Sequence, residues 1–134
     1  NVDDLHVKAA SDPEKLIRFH GSLYDVYAPV DGHKSPYQDY LHAMRRADNP
    51  LLRPRITYYE EMPFDVKKSA LWVRNADLIV IVGTSFKVYP FAGLLQYASP
   101  AVPVMSINFE RIATPFDVDQ IVGDAGEFFS ELKL

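Results

Sequence analysis

The stretch Asp77-Leu78-Ile79-Val80-Ile81-Val82-Gly83 is a continuous aliphatic run, bounded by a charge and a glycine. This pattern predicts a parallel strand buried on both faces. Working outward, Phe64 to Asn75 reads as an amphipathic helix with Val66, Ala70, Leu71 and Val73 on or near one face. Phe91 to Ala98 follows as a helix, Val102 to Phe109 as a second buried strand, Gln120 to Val122 as a short strand and Gly126 to Leu132 as a terminal helix. Strands alternating with helices imply βαβ units, so the expected class is α/β with a parallel, Rossmann-like sheet and flanking helices.

Upstream, Asp3 to Ala10 predicts a helix with Asp3 or Asp4 near its N-terminus, interrupted by Asp12-Pro13. Lys15 to His20 reads as a strand stopped by Gly21, and Leu23 to Val30 as a second extended run rich in Tyr and Val. Asp31 to Arg55 is polar, bears His and Arg, and is expected to be an insertion or small subdomain with one helix around Pro36 to Ala47. Ile56 to Tyr59 reads as a short strand. The ten prolines cut the chain into short elements, and no internal repeat is evident.

A length of 134 residues predicts a single packed core. Fourteen Lys and Arg against eighteen Asp and Glu leave a net charge of −4, which argues against a duplex nucleic-acid binder. No apolar run approaches the ~20 residues needed to span a bilayer. Cysteine is absent, which removes thiolate zinc sites and a cysteine nucleophile. That absence does not assign a compartment; a cytoplasmic setting is the expectation. The chain opens on Asn1 rather than on methionine, which suggests a fragment.

Ligands of open parallel sheets bind outside the carboxyl ends of the strands. Three polar clusters are expected at such ends: His20-Gly21-Ser22, Gly83-Thr84-Ser85 and Asn108. Together they offer an imidazole that titrates near neutrality, three hydroxyls, an amide and backbone N–H groups, an inventory suited to a sugar or phosphate. Each also has an ordinary reading, as a turn histidine, a hydroxyl cap or an Asx turn. His33 and His42 with Asp31 and Asp39 match no standard metal spacing, and Lys34, Arg45 and Arg46 disfavour a cation there. Glu60 and Glu61, adjacent on an extended chain, point to opposite faces and are not expected to share catalysis. Arg53-Pro54-Arg55 reads as an exposed loop before it reads as an anion contact.

These residues resemble a known family, the sirtuins (Sir2-like NAD-dependent deacylases). Asn1-Val2-Asp3-Asp4-Leu5-His6 resembles the family's Asn-Ile/Val-Asp segment, and Phe19-His20-Gly21-Ser22-Leu23 the segment with the catalytic histidine. Arg53-Pro54 with Tyr58-Tyr59-Glu60-Glu61 is similar to the Arg-Pro and Phe-Gly-Glu region. Gly83-Thr84-Ser85 through Val88-Tyr89-Pro90 matches a Gly-Thr-Ser-Leu-x-Val-x-Pro motif, with Phe86 for Leu; Ile107-Asn108-x-Glu110 and Gly123-Asp124-Ala125 agree as well. The resemblance implies an enzyme that joins NAD to an acyl-lysine, releasing nicotinamide and forming O-acyl-ADP-ribose. It implies that Asn1 and Asp3 border the nicotinamide and ribose pocket and that His20 is the general base. Gly83, Thr84 and Ser85 would hold the phosphate and ribose region, Asn108 and Glu110 the adenine ribose, and Asp124 or Ala125 the adenine edge. Glu61 and Val88, Tyr89 and Pro90 would flank an extended acyl-lysine peptide paired as an added strand.

Three departures qualify the resemblance. The family's Gly-Ala-Gly motif is absent from these 134 residues, which therefore are expected to read as the downstream part of a larger domain and to show no NAD-dependent turnover alone. Measured turnover by the purified chain would contradict this. The four zinc cysteines are missing, so no zinc is expected; Tyr37, Tyr40, Leu41 and Met44 should stabilise the insertion by packing. Stoichiometric zinc in elemental analysis would contradict that expectation. Glu60 stands where the family usually has glycine, which leaves open a zinc-free NAD hydrolase or ADP-ribosyltransferase. A non-enzymatic nucleotide-binding half-domain, self-associating or pairing with upstream residues, is a further alternative.

Overall fold

The computed structural model describes residues 1–46 and 51–132. They form two compact units, Asn1–Val66 and Lys67–Leu134, in place of the single core that length suggests.

In the first unit, a short helix Leu5–Lys8 (α1) is followed by a 3-10 turn at Pro13–Lys15, which Asp12 caps by accepting the Glu14 N–H at 2.9 Å. The strand expected over Lys15 to His20 is not formed. Residues 18–21 instead make a tight turn, closed by the Gly21 N–H on the Arg18 carbonyl at 2.8 Å, and the strand begins where Gly21 was expected to stop one. That strand, Gly21–Tyr27 (β1), is central in an antiparallel sheet. Lys34–Ser35 (β2) pairs on one side, before helix Tyr37–Arg45 (α2), and Arg53–Ile56 (β3) pairs on the other. The register of β1 against β3 shifts between Ser22 and Val26, a bulge. The strand expected at Ile56 to Tyr59 is thus displaced towards Arg53, and Tyr58 to Glu61 form a turn. Pro54 is tolerated in β3 because that strand lies at the sheet edge.

Helix α2 packs through aromatic rings. The ring of Tyr37 lies 5.0 Å from that of Tyr24 on β1 and 6.1 Å from that of Tyr40, and α2 rests on β1 and β3. Leu41 is half-buried; Met44 is exposed and contributes no core packing. The Arg55 guanidinium stacks 4.7 Å from the Tyr27 ring centroid, and its Nε reaches Asp25 at 3.3 Å.

In the second unit, helix Val66–Arg74 (α3), which begins one residue before the division, leads to strand Ile79–Val82 (β4). A 3-10 segment Ala92–Tyr97 takes the place of the expected α-helix, between Pro90 and Pro100 and with Gly93 inside it. Strands Val104–Asn108 (β5) and Asp119–Val122 (β6) and helix Ala125–Glu131 (α4) complete the unit. The sheet is parallel, in the order β4-β5-β6, with Ile81 opposite Ser106 and Ile107 opposite Ile121. The α/β class with a parallel sheet and flanking helices is therefore borne out.

Its core gathers Ile81, Phe86, Ala92, Leu95 and Ile112, with Ile79, Phe91, Val104 and Val118 packed against them. Ile107, at the middle of the sheet, has no exposed surface. The aliphatic run, however, is not buried on both faces. Ile79 and Ile81 face the core while Val80 and Val82, on the opposite face of β4, are 39% and 42% exposed. Leu71, expected on the apolar face of α3, is exposed as well.

Candidate functional site

The carboxyl ends of β4, β5 and β6 are tied together by one residue. Asn108, the last residue of β5, accepts the Thr84 N–H through Oδ1 at 2.7 Å, and its own carbonyl accepts the Gly123 N–H at 2.9 Å. The Gly83 N–H bonds the Ile107 carbonyl at 3.1 Å, which extends the β4–β5 ladder by one residue. The Thr84 hydroxyl accepts the Phe86 N–H at 3.0 Å, and the resulting turn drives the Phe86 ring into the core at a positive φ of 55°. Asn108 is buried, and its Nδ2 has no hydrogen-bond partner among the described residues. A buried amide donor left unpaired costs about 1–3 kcal/mol unless a ligand or water takes it. Gly83 is at φ 61°, and a Cβ there or at Gly123 would meet open space. The strand ends thus present a donor without an acceptor beside unfilled room. Ser85 and Glu110 are exposed. The Asp124 carboxylate is taken by the start of α4, where it accepts the Glu127 N–H at 2.9 Å, and Ala125 is half-buried.

Asn108→Ala removes the acceptor for Thr84, and we expect a loss of about 1–2 kcal/mol from the second unit, measured by urea unfolding. An unchanged midpoint would show that the tie between β4 and β5 is unimportant.

His20-Gly21-Ser22 does not follow a strand; it opens β1, in the antiparallel sheet of the first unit. The three polar clusters therefore do not share one sheet edge: Gly83-Thr84-Ser85 and Asn108 do, and His20 is presented by the turn of residues 18–21. The His20 carbonyl accepts the Thr57 N–H at 3.0 Å and the Phe19 carbonyl the Phe64 N–H at 2.9 Å, so both sides of the turn are held. The imidazole lies edge-on to Phe19, with ring centroids 5.1 Å apart. Burial pushes its pKa below the ordinary 6.5. His20 is therefore neutral at pH 7 and able to accept a proton.

Asn1 is exposed, and Asp3 accepts the Leu5 N–H through Oδ1 at 3.2 Å, opening α1. The Glu61 carboxylate is engaged by Arg53 Nη2 at 2.5 and 2.6 Å and by the Tyr58 N–H at 3.0 Å. The Arg53 hydrogen bond is the main cause holding the Glu61 carboxyl below the usual range. Glu61 thus clamps the turn after β3, and Arg53 serves that clamp, a pairing that seven intervening residues hide in the sequence. Val88 and Tyr89 are exposed and Pro90 is half-buried. Glu60 stands at φ 70°, a backbone setting in which glycine is at ease.

His33 bonds Asp31 through Nδ1 at 2.7 Å and faces Ser35 Oγ through Nε2 at 3.4 Å, on the wall of a cavity of about 630 Å3 that Asp39 and His42 also line. Among the described residues no group of three or more His, Asp or Glu converges as metal ligands would.

The fold is that of an α/β protein: one unit carries a parallel three-stranded sheet with an amide donor at its carboxyl edge that is unpaired among the described residues, and the other carries a half-buried histidine at the start of an antiparallel sheet. The sequence profile of the Sir2 family matches residues 1–90. The chain belongs to the Sir2 family. It is 36% identical over 137 residues to the NAD-dependent protein deacetylase of Lactiplantibacillus plantarum, covering 100% of this chain and 58% of that protein. With the NAD-dependent protein deacetylase of Listeria innocua it shares 40% over 135 residues, covering 98% of this chain and 58% of that protein. Among solved structures, a sirtuin studied for substrate affinity superposes with a TM-score of 0.82 at 25% identity, over 96% of this chain and 58% of that one. A Sir2 bound to a propionylated peptide superposes with a TM-score of 0.81 at 25% identity, over 96% and 58%. The chain thus spans 58% of the length of these relatives.

Proposed function

We propose that this chain carries the proton-accepting histidine and the strand-end nucleotide contacts of an NAD-dependent protein-lysine deacylase. What carries the reading is that the stretch matching the Sir2 family holds a half-buried imidazole on a turn fixed from both sides by main-chain hydrogen bonds. The relatives that match nearly all of this chain bear the name NAD-dependent protein deacetylase. NAD, when bound, supplies a ribose carbon that an acyl oxygen attacks as nicotinamide leaves. The part of His20 is to hold, on a ring nitrogen, the proton released by a ligand hydroxyl. Asn1 and Asp3 stand on the segment bordering it.

In the second unit the residues fit a dinucleotide. The unpaired Nδ2 of Asn108 is a donor for a ribose oxygen, and Gly83 has no side chain to hold a ligand away. Thr84, whose N–H is committed to Asn108, orients that amide. Ser85, Glu110, Asp124 and Ala125 are assigned to the remaining ribose and adenine contacts. The Glu61 clamp stiffens the turn after β3, and Glu61 in the first unit and Val88, Tyr89 and Pro90 in the second are each assigned to contacts with an extended acyl-lysine peptide. Stacking of Tyr24, Tyr37 and Tyr40 is the proposed substitute for zinc in the insertion, and the proposed setting is cytoplasmic.

Calorimetric titration of the full-length protein with ADP-ribose tests the nucleotide assignment. Asn108→Ala is expected to weaken binding about tenfold, the worth of one buried hydrogen bond; equal affinity would remove Asn108 from the site. Glu60 favours one second reading, in which water or another acceptor replaces the acyl group, because a charged side chain stands at the left-handed turn after β3.

A further inference from the structure

Asp4 sits just before α1 at φ 57° and ψ 29°, in the left-handed region that non-glycine residues seldom occupy. Its side chain does not cap the helix; Asp3 accepts the Leu5 N–H instead. The Asp4 carboxylate faces the other way. Its Oδ2 accepts the Ser22 hydroxyl at 2.6 Å, and its two oxygens lie 3.3 and 3.2 Å from Arg18 Nη1. Ser22 is 1% exposed, and its oxygen in turn accepts the Tyr24 N–H at 3.0 Å.

Arg18 and Ser22 are two residues before and two residues after His20, on either side of the turn closed by Gly21 on Arg18. One carboxylate therefore grips both ends of the turn that presents the imidazole. A second link runs alongside: the Leu23 N–H bonds the Val2 carbonyl at 2.9 Å, laying the N-terminal segment along the start of β1. Charge-assisted hydrogen bonds are short and strong, and here they offset the strain of the left-handed Asp4 backbone.

We infer that Asp4 is a positioning residue that locks the His20 turn against the Asn1–Asp3 segment. Its relevance to turnover rests on the proposed role of His20; the lock itself does not. Asparagine suits the left-handed backbone, and its amide oxygen can still accept the Ser22 hydroxyl, whereas alanine can do neither.

The test is NMR titration of the histidine rings in the 134-residue chain carrying Asp4→Ala or Asp4→Asn. In Asp4→Ala the loosened turn admits water to His20, so its midpoint rises towards 6.5. Asp4→Asn keeps the wild-type midpoint. Loss of negative charge alone would shift His20 equally in both variants and downward. An unmoved His20 in Asp4→Ala, or equal movement in both variants, overturns the inference. Ser22→Ala, which removes the donor and leaves the carboxylate, is expected to raise the midpoint too and serves if Asp4→Ala does not fold; an unmoved midpoint there overturns the inference equally. Turnover by the full-length protein is read in parallel. If Asp4→Ala moves the His20 midpoint and leaves turnover intact, the lock stands and the role of His20 as base fails.

Discussion

Replacing His20 with alanine in the full-length protein lowers NAD-dependent deacylation by about 10²- to 10⁴-fold, the range removed with a general base. The fold should survive, because the turn is held by main-chain bonds from Gly21, Thr57 and Phe64 that do not involve the imidazole. The pH dependence has a definite sign. Burial holds the His20 pKa below 6.5, so activity is level above that pH and falls as the medium is acidified through the depressed value. Stability follows the same direction. The unfolded chain binds more protons at this position between the depressed value and 6.5, so the contribution is complete above 6.5 and is lost on acidification. A His20→Ala protein within a factor of three of wild type, or an acid limb unchanged in position, would remove His20 from the chemistry.

The second large effect is on stability. Gly21 is at φ 84°, and a Cβ there would overlap the Arg55 carbonyl oxygen and stand 2.9 Å from Phe64 Cε2. Gly21→Ala therefore combines left-handed strain with a clash against the backbone of β3, and should cost the first unit about 2–5 kcal/mol. Gly83 offers an internal comparison: it too has a positive φ, of 61°, but open space around it. Gly83→Ala should cost only the strain, about 1–2 kcal/mol. Equal melting curves for the two variants would show that the approach of β3 to Gly21 is unimportant.

Gly21 also shows why one part of the fold was misread from the sequence. A glycine after a run of mixed apolar and basic residues reads as a stop, yet here it starts the strand. The reason is a close pairing with β3, more than thirty residues away, which no local pattern reveals. The aliphatic run at residues 78–82 was legible as a strand and as parallel, but periodicity does not distinguish one buried face from two when both faces are apolar. The carboxyl-end rule found Thr84 and Asn108, because a strand followed by polar residues is a local signal. It misplaced His20 for the same reason that it misplaced Gly21. The Asp4–Ser22 and Arg53–Glu61 contacts join residues apart in sequence, and the Asp3-Asp4 pair offered no hint of which carboxylate caps α1 and which reaches β1.

The most direct measurement is nicotinamide release from NAD by the full-length protein, with and without an acetyl-lysine peptide, followed by chromatography. A deacylase releases nicotinamide only when the peptide is present, in step with loss of the acetyl group, and His20→Ala abolishes both. Nicotinamide released at the same rate without peptide would contradict the deacylase assignment and establish the hydrolase or ADP-ribosyltransferase chemistry that Glu60 favours.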